Sequence, residues 1–131
     1  MHRSRLCSLM IDCRVGDLDQ AAKFWSQALG RPIKEGADVH QKYVGLVTHD
    51  DEPVIELQKV GHPSRVHLDI ESDDIEAEVQ RLQALGATRI EAIGTWVVME
   101  APTGHRFCVV RSQRGRLGPY ANTWEAIGAP L

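Results

Sequence analysis

Two stretches of the chain repeat one pattern. Residues 9–30 read LMIDCRVGDLDQAAKFWSQALG and residues 66–86 read VHLDIESDDIEAEVQRLQALG. Each opens on a strand-like run holding an aspartate, Asp12 or Asp69. Each then turns at acidic residues and closes on the string Gln-Ala-Leu-Gly. Asp12/Asp69, Leu18/Ile75, Ala22/Val79 and Trp25/Leu82 stand 57 positions apart, and the closing glycines Gly30 and Gly86 stand 56 apart. One residue is therefore missing within the second copy. A strand–turn–helix unit that occurs twice in a short chain predicts two similar halves.

Residues 6–13 read as a strand rich in Leu, Met, Ile and Cys. Asp17 with Gln20 has the form of a capping box, opening a helix over residues 18–29. Leu18, Ala21, Ala22, Trp25, Ala28 and Leu29 fall on one face of that helix, Gly30 supplies a left-handed C-cap, and Pro32 stops continuation. Residues 42–48 and 54–59 read as strands, with a further short strand near Ile33. The breaker Gly61-His62-Pro63-Ser64 marks the boundary between the halves. The second half repeats the order. It has a strand over 65–71, a capping box at Asp73 and Glu76, and a helix to residue 85 with a buried stripe of Ile75, Val79, Leu82 and Leu85. Strands follow over 87–91, 95–101 and 105–111. Residues 112–131 read as an irregular tail carrying Tyr120 and Trp124. Strand, helix and three strands, taken twice, give an α+β arrangement of two βαβββ modules.

At 131 residues the chain is read as one domain, 1–131, with module one at about 6–60, module two at about 64–111 and the tail after it. The formal charge of −3 is spread over both signs and excludes a nucleic-acid footprint. Arg111, Arg114 and Arg116 are read as a solvated tail. Cys7, Cys13 and Cys108 are odd in number and lack CxxC spacing. They indicate free thiols in a reducing compartment, hence a cytoplasmic location. The apolar run after Arg3 and Arg5 is short and broken by Asp12, so neither a signal peptide nor a membrane span is expected.

Several motifs carry a family likeness. The paired βαβββ order, the run Asp17-Leu18…Phe24-Trp25…Leu29-Gly30, the run His67-Leu68-Asp69…Asp73-Asp74 and the ending Pro102-Thr103-Gly104…Phe107 together resemble the vicinal-oxygen-chelate superfamily. That group includes glyoxalase I, bleomycin-resistance proteins and extradiol dioxygenases. The likeness spans roughly residues 6–111 and points to the small glyoxalase-like branch. It implies a curved mixed sheet around a cleft, often completed in a dimer. It also implies four metal-ligand places, on the first and last strand of each module, which here are Met10, Glu56, His67 and Cys108. Glu56 and His67 have the usual ligand types. Met10 stands where His is usual and Cys108 where Glu is usual. A thioether suits no hard divalent cation, so a degenerate metal site is expected, with no cofactor. A divalent metal held by Glu56 and His67 is the alternative.

Residues two apart on a strand share a face. That rule sets Asp12 beside Met10, Val54 beside Glu56, Asp69 beside His67, and Arg106 beside Cys108. The expected ligand site is Met10, Asp12, Val54, Glu56, His67, Asp69, Trp96 and Cys108, an apolar pocket with a few polar groups. His67, Asp69 and Asp12 are the candidate acid–base residues: two nearby carboxylates disfavour double ionisation, and one can then serve as an acid. The alternative has Arg14, Arg65 or Arg106 neutralising the aspartates as structural pairs. His67 reads equally as a base, as a ligand to a soft metal with Cys108, or as a hydrogen-bonded core histidine. Cys108 reads as a nucleophile or a small buried apolar residue, and Trp96 as a stacking platform or plain packing. The function expected is small-molecule binding of the glyoxalase/bleomycin-resistance type. The alternatives are a metal-dependent lyase, isomerase or dioxygenase and a metal-free acid–base enzyme. A homodimer is expected, with the tail either joining it or folding back over its own helices.

Overall fold

The computed structural model describes residues 1–125. Its elements are β1 (His2–Cys13), α1 (Asp19–Leu29), β2 (Tyr43–Leu46), β3 (Val54–Lys59), β4 (Arg65–Ser72), α2 (Ile75–Ala84), β5 (Thr88–Ile93), β6 (Trp96–Glu100), β7 (Arg106–Arg111) and β8 (Asn122–Trp124). The hydrogen-bonded strand order is β2-β3-β1-β4-β7-β6-β5, with β8 on β1. The β1–β3 and β4–β7 pairs are parallel, while β2–β3, β5–β6, β6–β7 and β1–β8 are antiparallel. This is the α+β class that the repeat predicts, with the mixed sheet that the family resemblance implies. The short strand near Ile33 reduces to a single bridge, Ile33 to Leu46. The chain divides into two compact units, residues 8–67 and residues 1–7 with the chain from 68 onward.

In the unit of residues 8–67, α1 covers one side of β1, β2 and β3. Cys13, Leu18, Ala22, Val44, Leu46 and Leu57 form the core there, with Ile11, Trp25, Ile33 and Ile55 against it. The helix is one residue shorter at its start than its pattern suggests. Leu18 takes the N-cap position with no side-chain cap, so Asp17 and Gln20 form no capping box. Asp17 Oδ1 instead accepts from Asp19 N at 2.9 Å, a local turn that competes with capping. Gly30 ends the helix at φ 65°, where a side chain would be strained. Ala28 and Leu29, placed on the buried face by period alone, are exposed.

In the other unit, α2 packs Val79 and Leu82 onto Val97, Met99 and Val109, with Ile70, Ile75 and Phe107 around them. Its N-cap is Asp74, whose side chain accepts from Ala77 N at 3.0 Å. Asp73, read as the cap from sequence, instead accepts from Arg3 N at 2.8 Å. Leu85 is 67% exposed and leaves the predicted stripe, and Glu78 takes a buried place in its stead.

That substitution has a clear cause. Glu78 Oε1 accepts from Arg81 Nε at 2.7 Å and lies 2.8 Å from His2 Nε2, and Oε2 accepts from Arg81 Nη2 at 2.9 Å. Burial alone would raise this carboxyl. The bonds from Arg81, His2 and Ser4, with the charge of Arg81, outweigh it and hold the group below the usual carboxylate range. The Arg81 guanidinium stacks 3.8 Å from the centroid of Trp124, and Trp124 Nε1 donates to Ser4 Oγ at 2.8 Å. The tail is thus not wholly irregular: Asn122–Trp124 pairs with Ser4, Arg3 and His2, and Leu117 is buried. β1 likewise starts at His2 rather than at residue 6, because these pairings hold its first residues in extended form. The part of the tail at 126–131 lies outside the described residues.

Candidate functional site

Strand alternation decides which side chains leave the helix-covered cores. In the unit of residues 8–67, Ile11, Cys13, Ile55 and Leu57 pack beneath α1. Their neighbours therefore point the other way. Register sets Ser8 opposite Val54, Met10 opposite Glu56 and Asp12 opposite Gln58. Met10, Asp12, Val54 and Glu56 share that side, as the sequence predicts. Met10 is 4% and Asp12 2% exposed.

His67 ends this unit on β4. Its Nδ1 lies 2.7 Å from Asp12 Oδ2, and the Arg65 guanidinium comes within 3.6 Å of the same oxygen. An ionised carboxylate only accepts, so with Asp12 in that form Nδ1 is the donor, and whenever the ring is neutral its lone pair lies on Nε2. Asp12 Oδ1 is buried with no hydrogen-bond partner among the described residues. Two of the readings open for Asp12 thus coincide: Arg65 does stand beside it, but the short contact is with the imidazole. Arg14 uses its backbone N–H, on Ser64 Oγ, and Arg106 pairs with Glu100 at 3.5 Å. The negative charge of Asp12 and burial both act on neighbouring Cys13. Burial comes first, and together they push its thiol up, making it a poor nucleophile.

In the other unit, Ile70, Phe107, Val109, Val97 and Met99 face α2. Asp69, Cys108, Val98 and Trp96 accordingly lie on the opposite side. Cys108 is the register partner of both Asp69 on β4 and Val98 on β6. Trp96 follows the turn at Gly94, is half-buried, and stands on the same side of β6 as Val98. None of the three cysteines is in a disulfide.

Asp69 on β4 and Cys108 on β7 are register partners, so a carboxylate and a thiol lie on adjacent strands of this unit. In the unit of residues 8–67, the buried thioether of Met10 does not suit Mg²⁺ or Mn²⁺.

The family description of the glyoxalase-like domain matches residues 8–110. The chain belongs to the glyoxalase-like domain family. Within the vicinal-oxygen-chelate superfamily this glyoxalase-like chain is similar in fold to several solved structures. A hypothetical protein from Bacillus halodurans superposes with a TM-score of 0.64 at 14% identity, over 88% of this chain and 99% of that one. Methylmalonyl-CoA epimerase from Mycobacterium tuberculosis gives 0.59 at 18%, over 81% and 86%. A glyoxalase/bleomycin resistance protein/dioxygenase superfamily member from Vibrio splendidus gives 0.50 at 20%, over 81% and 98%. At these identities the likeness is one of fold. A sequence comparison with curated proteins gave no match. No helix among the described residues of the glyoxalase-like chain is long and apolar enough to cross a membrane.

What sequence reasoning missed was the pairing of Asp12 with His67. The notion of two facing carboxylates drew attention to Asp12 with Asp69. The signal was present, since both Asp12 and His67 fall on the core-averted side of their strands.

Proposed function

We propose that this glyoxalase-like chain binds a small organic molecule and that His67, oriented by Asp12, is the group that exchanges a hydrogen bond or proton with it. The observation that carries the reading is the 2.7 Å contact between a buried carboxylate and His67 Nδ1. A carboxylate held on one ring nitrogen fixes the tautomer and raises the basicity of the other, an arrangement used for general bases and for metal-binding histidines alike. Met10 and Val54 supply apolar surface on the same side of their strands.

One experiment tests this reading. Purified protein is titrated with a panel of small organic acids, aldehydes and thiol adducts. The ring nitrogens of His67 are followed by long-range ¹H–¹⁵N correlation in wild type and Asp12→Asn. A ligand that shifts His67 Nε2 in the wild type and binds more weakly to Asp12→Asn is expected. Recovery of that ligand intact indicates a binding protein, and conversion indicates an acid–base enzyme. Binding that leaves the His67 ring unmoved in every case refutes the role given to it.

A further inference from the structure

The Lys34 side chain runs close along Gly45 of β2, on the side of the strand that the site occupies. Ile33 and Leu46 form the isolated antiparallel bridge, and both belong to the core beneath α1. The next pair is turned the other way: Lys34 N donates to Gly45 O at 3.0 Å, and Gly45 is the register partner of Glu56. A Cβ built on Gly45 would meet Lys34 Cδ at 3.0 Å, Cε at 3.3 Å and Nζ at 3.6 Å. The lysine stem therefore fills the gap that the missing side chain leaves, on the side that carries Met10, Asp12 and Glu56. Gly45 is not among the glycines at positive φ. The position needs no special backbone freedom, so what glycine supplies there is room.

Two cations stand on this side of the unit, and they differ. Arg65 is drawn to Asp12 at 3.6 Å. Lys34 makes no ion pair among the described residues. The residue is exposed while its stem runs along Gly45, and a long cationic side chain commonly packs its stem and presents its charge in this way. The carboxylates of Asp12 and Glu56 would repel an anion at the same face, so a cation is needed if one is to bind.

We propose that Lys34, seated over Gly45, is the specificity residue for an anionic ligand: the small molecule met by His67 carries a carboxylate, and the Lys34 ammonium pairs with it. This rests on the small-molecule reading above and adds the charge class of the ligand.

The test uses benzoate and its neutral isostere benzamide as probes, with affinities read from ¹H–¹⁵N titrations of the intact chain. Wild type is expected to prefer benzoate by about fivefold, the worth of one partly exposed charge pair. In Lys34→Met that ratio falls to about one, while Lys34→Arg retains it. Gly45→Ala displaces the stem without removing the charge and lowers the preference as well. An equal preference for benzoate in wild type and Lys34→Met overturns the assignment, as does failure of benzoate to bind. If both probes bind alike to every variant and shift the His67 ring, the small-molecule reading stands and the role of Lys34 alone falls.

Discussion

Replacing Glu78 by Gln tests the buried ionic network of α2 most directly. Glu78 is fully buried, and the side chains of its partners His2 and Arg81 are 4% and 20% exposed. The carboxylate accepts from both Arg81 nitrogens, at 2.7 and 2.9 Å, as well as from His2 and Ser4. An amide keeps one acceptor and turns its NH₂ toward donors. At least one charge-assisted bond is lost, worth about 1.5–3 kcal/mol. Breaking a buried pair outright costs about 3–5 kcal/mol, but Arg81 retains some water and its stack on Trp124. The net loss should be about 2–3 kcal/mol, read by urea denaturation near pH 7. Its pH dependence has a definite sign. The folded carboxyl is held below its ordinary value of 4.5, so its contribution is whole above that pH and is lost as pH falls through the lower folded value. The gap between wild type and Glu78→Gln should therefore close on acidification. A gap under about 0.5 kcal/mol at neutral pH, or one that stays constant down to pH 3, would refute the reasoning. Glu76→Gln serves as control, because Glu76 is 58% exposed in its pair with Arg89 and should cost no more than about 0.5 kcal/mol.

Asp74→Ala removes a cap that accepts from Ala77 N and should cost about 1 kcal/mol in the same assay, against a few tenths for Asp17→Ala, which caps no helix. A homodimer is expected in sedimentation because β5, the last strand in the order, is exposed along its whole length, and Tyr120 is 90% exposed. Tyr120→Ser should weaken it, whereas Trp124, held by Ser4 and Arg81, is committed to its own chain. A monomer at all concentrations would remove the claim.

Much of the fold was legible because period and repeat are properties of the chain itself. The alternation in β1 and β3 placed Met10, Asp12, Val54 and Glu56 on one side, as register confirms. What escaped depends on partners remote in sequence. Asp73 and Asp74 are equally good caps by composition, and only the Arg3 amide on Asp73 decides between them. Glu78 occupies a polar position in a polar helix, and nothing local announces that His2 waits to bury it. The tail has no period, because a three-residue strand shows none. For the site, alternation fixed the face of Asp12 and His67 but not which groups would touch. Gly45 drew no notice, since a glycine that supplies room looks in sequence like one that supplies a turn.

β1 and β4 each run across the division between the units, and for β1 this bears on the order in which the chain can fold. Residues 8–67 are contiguous, so their unit can close once they have been synthesised. Residues 1–7 have no such unit until residues beyond 68 emerge: their partners are Glu71, Asp73, Glu78 and the strand at Asn122–Trp124. Residues 1–7 thus find their partners only after the unit of residues 8–67 can already have closed. A fragment cut at the repeat boundary near Gly61 would leave the second module without those seven residues, and β8 without a strand to join. A cut at the sequence repeat therefore parts residues 1–7 from the unit they belong to.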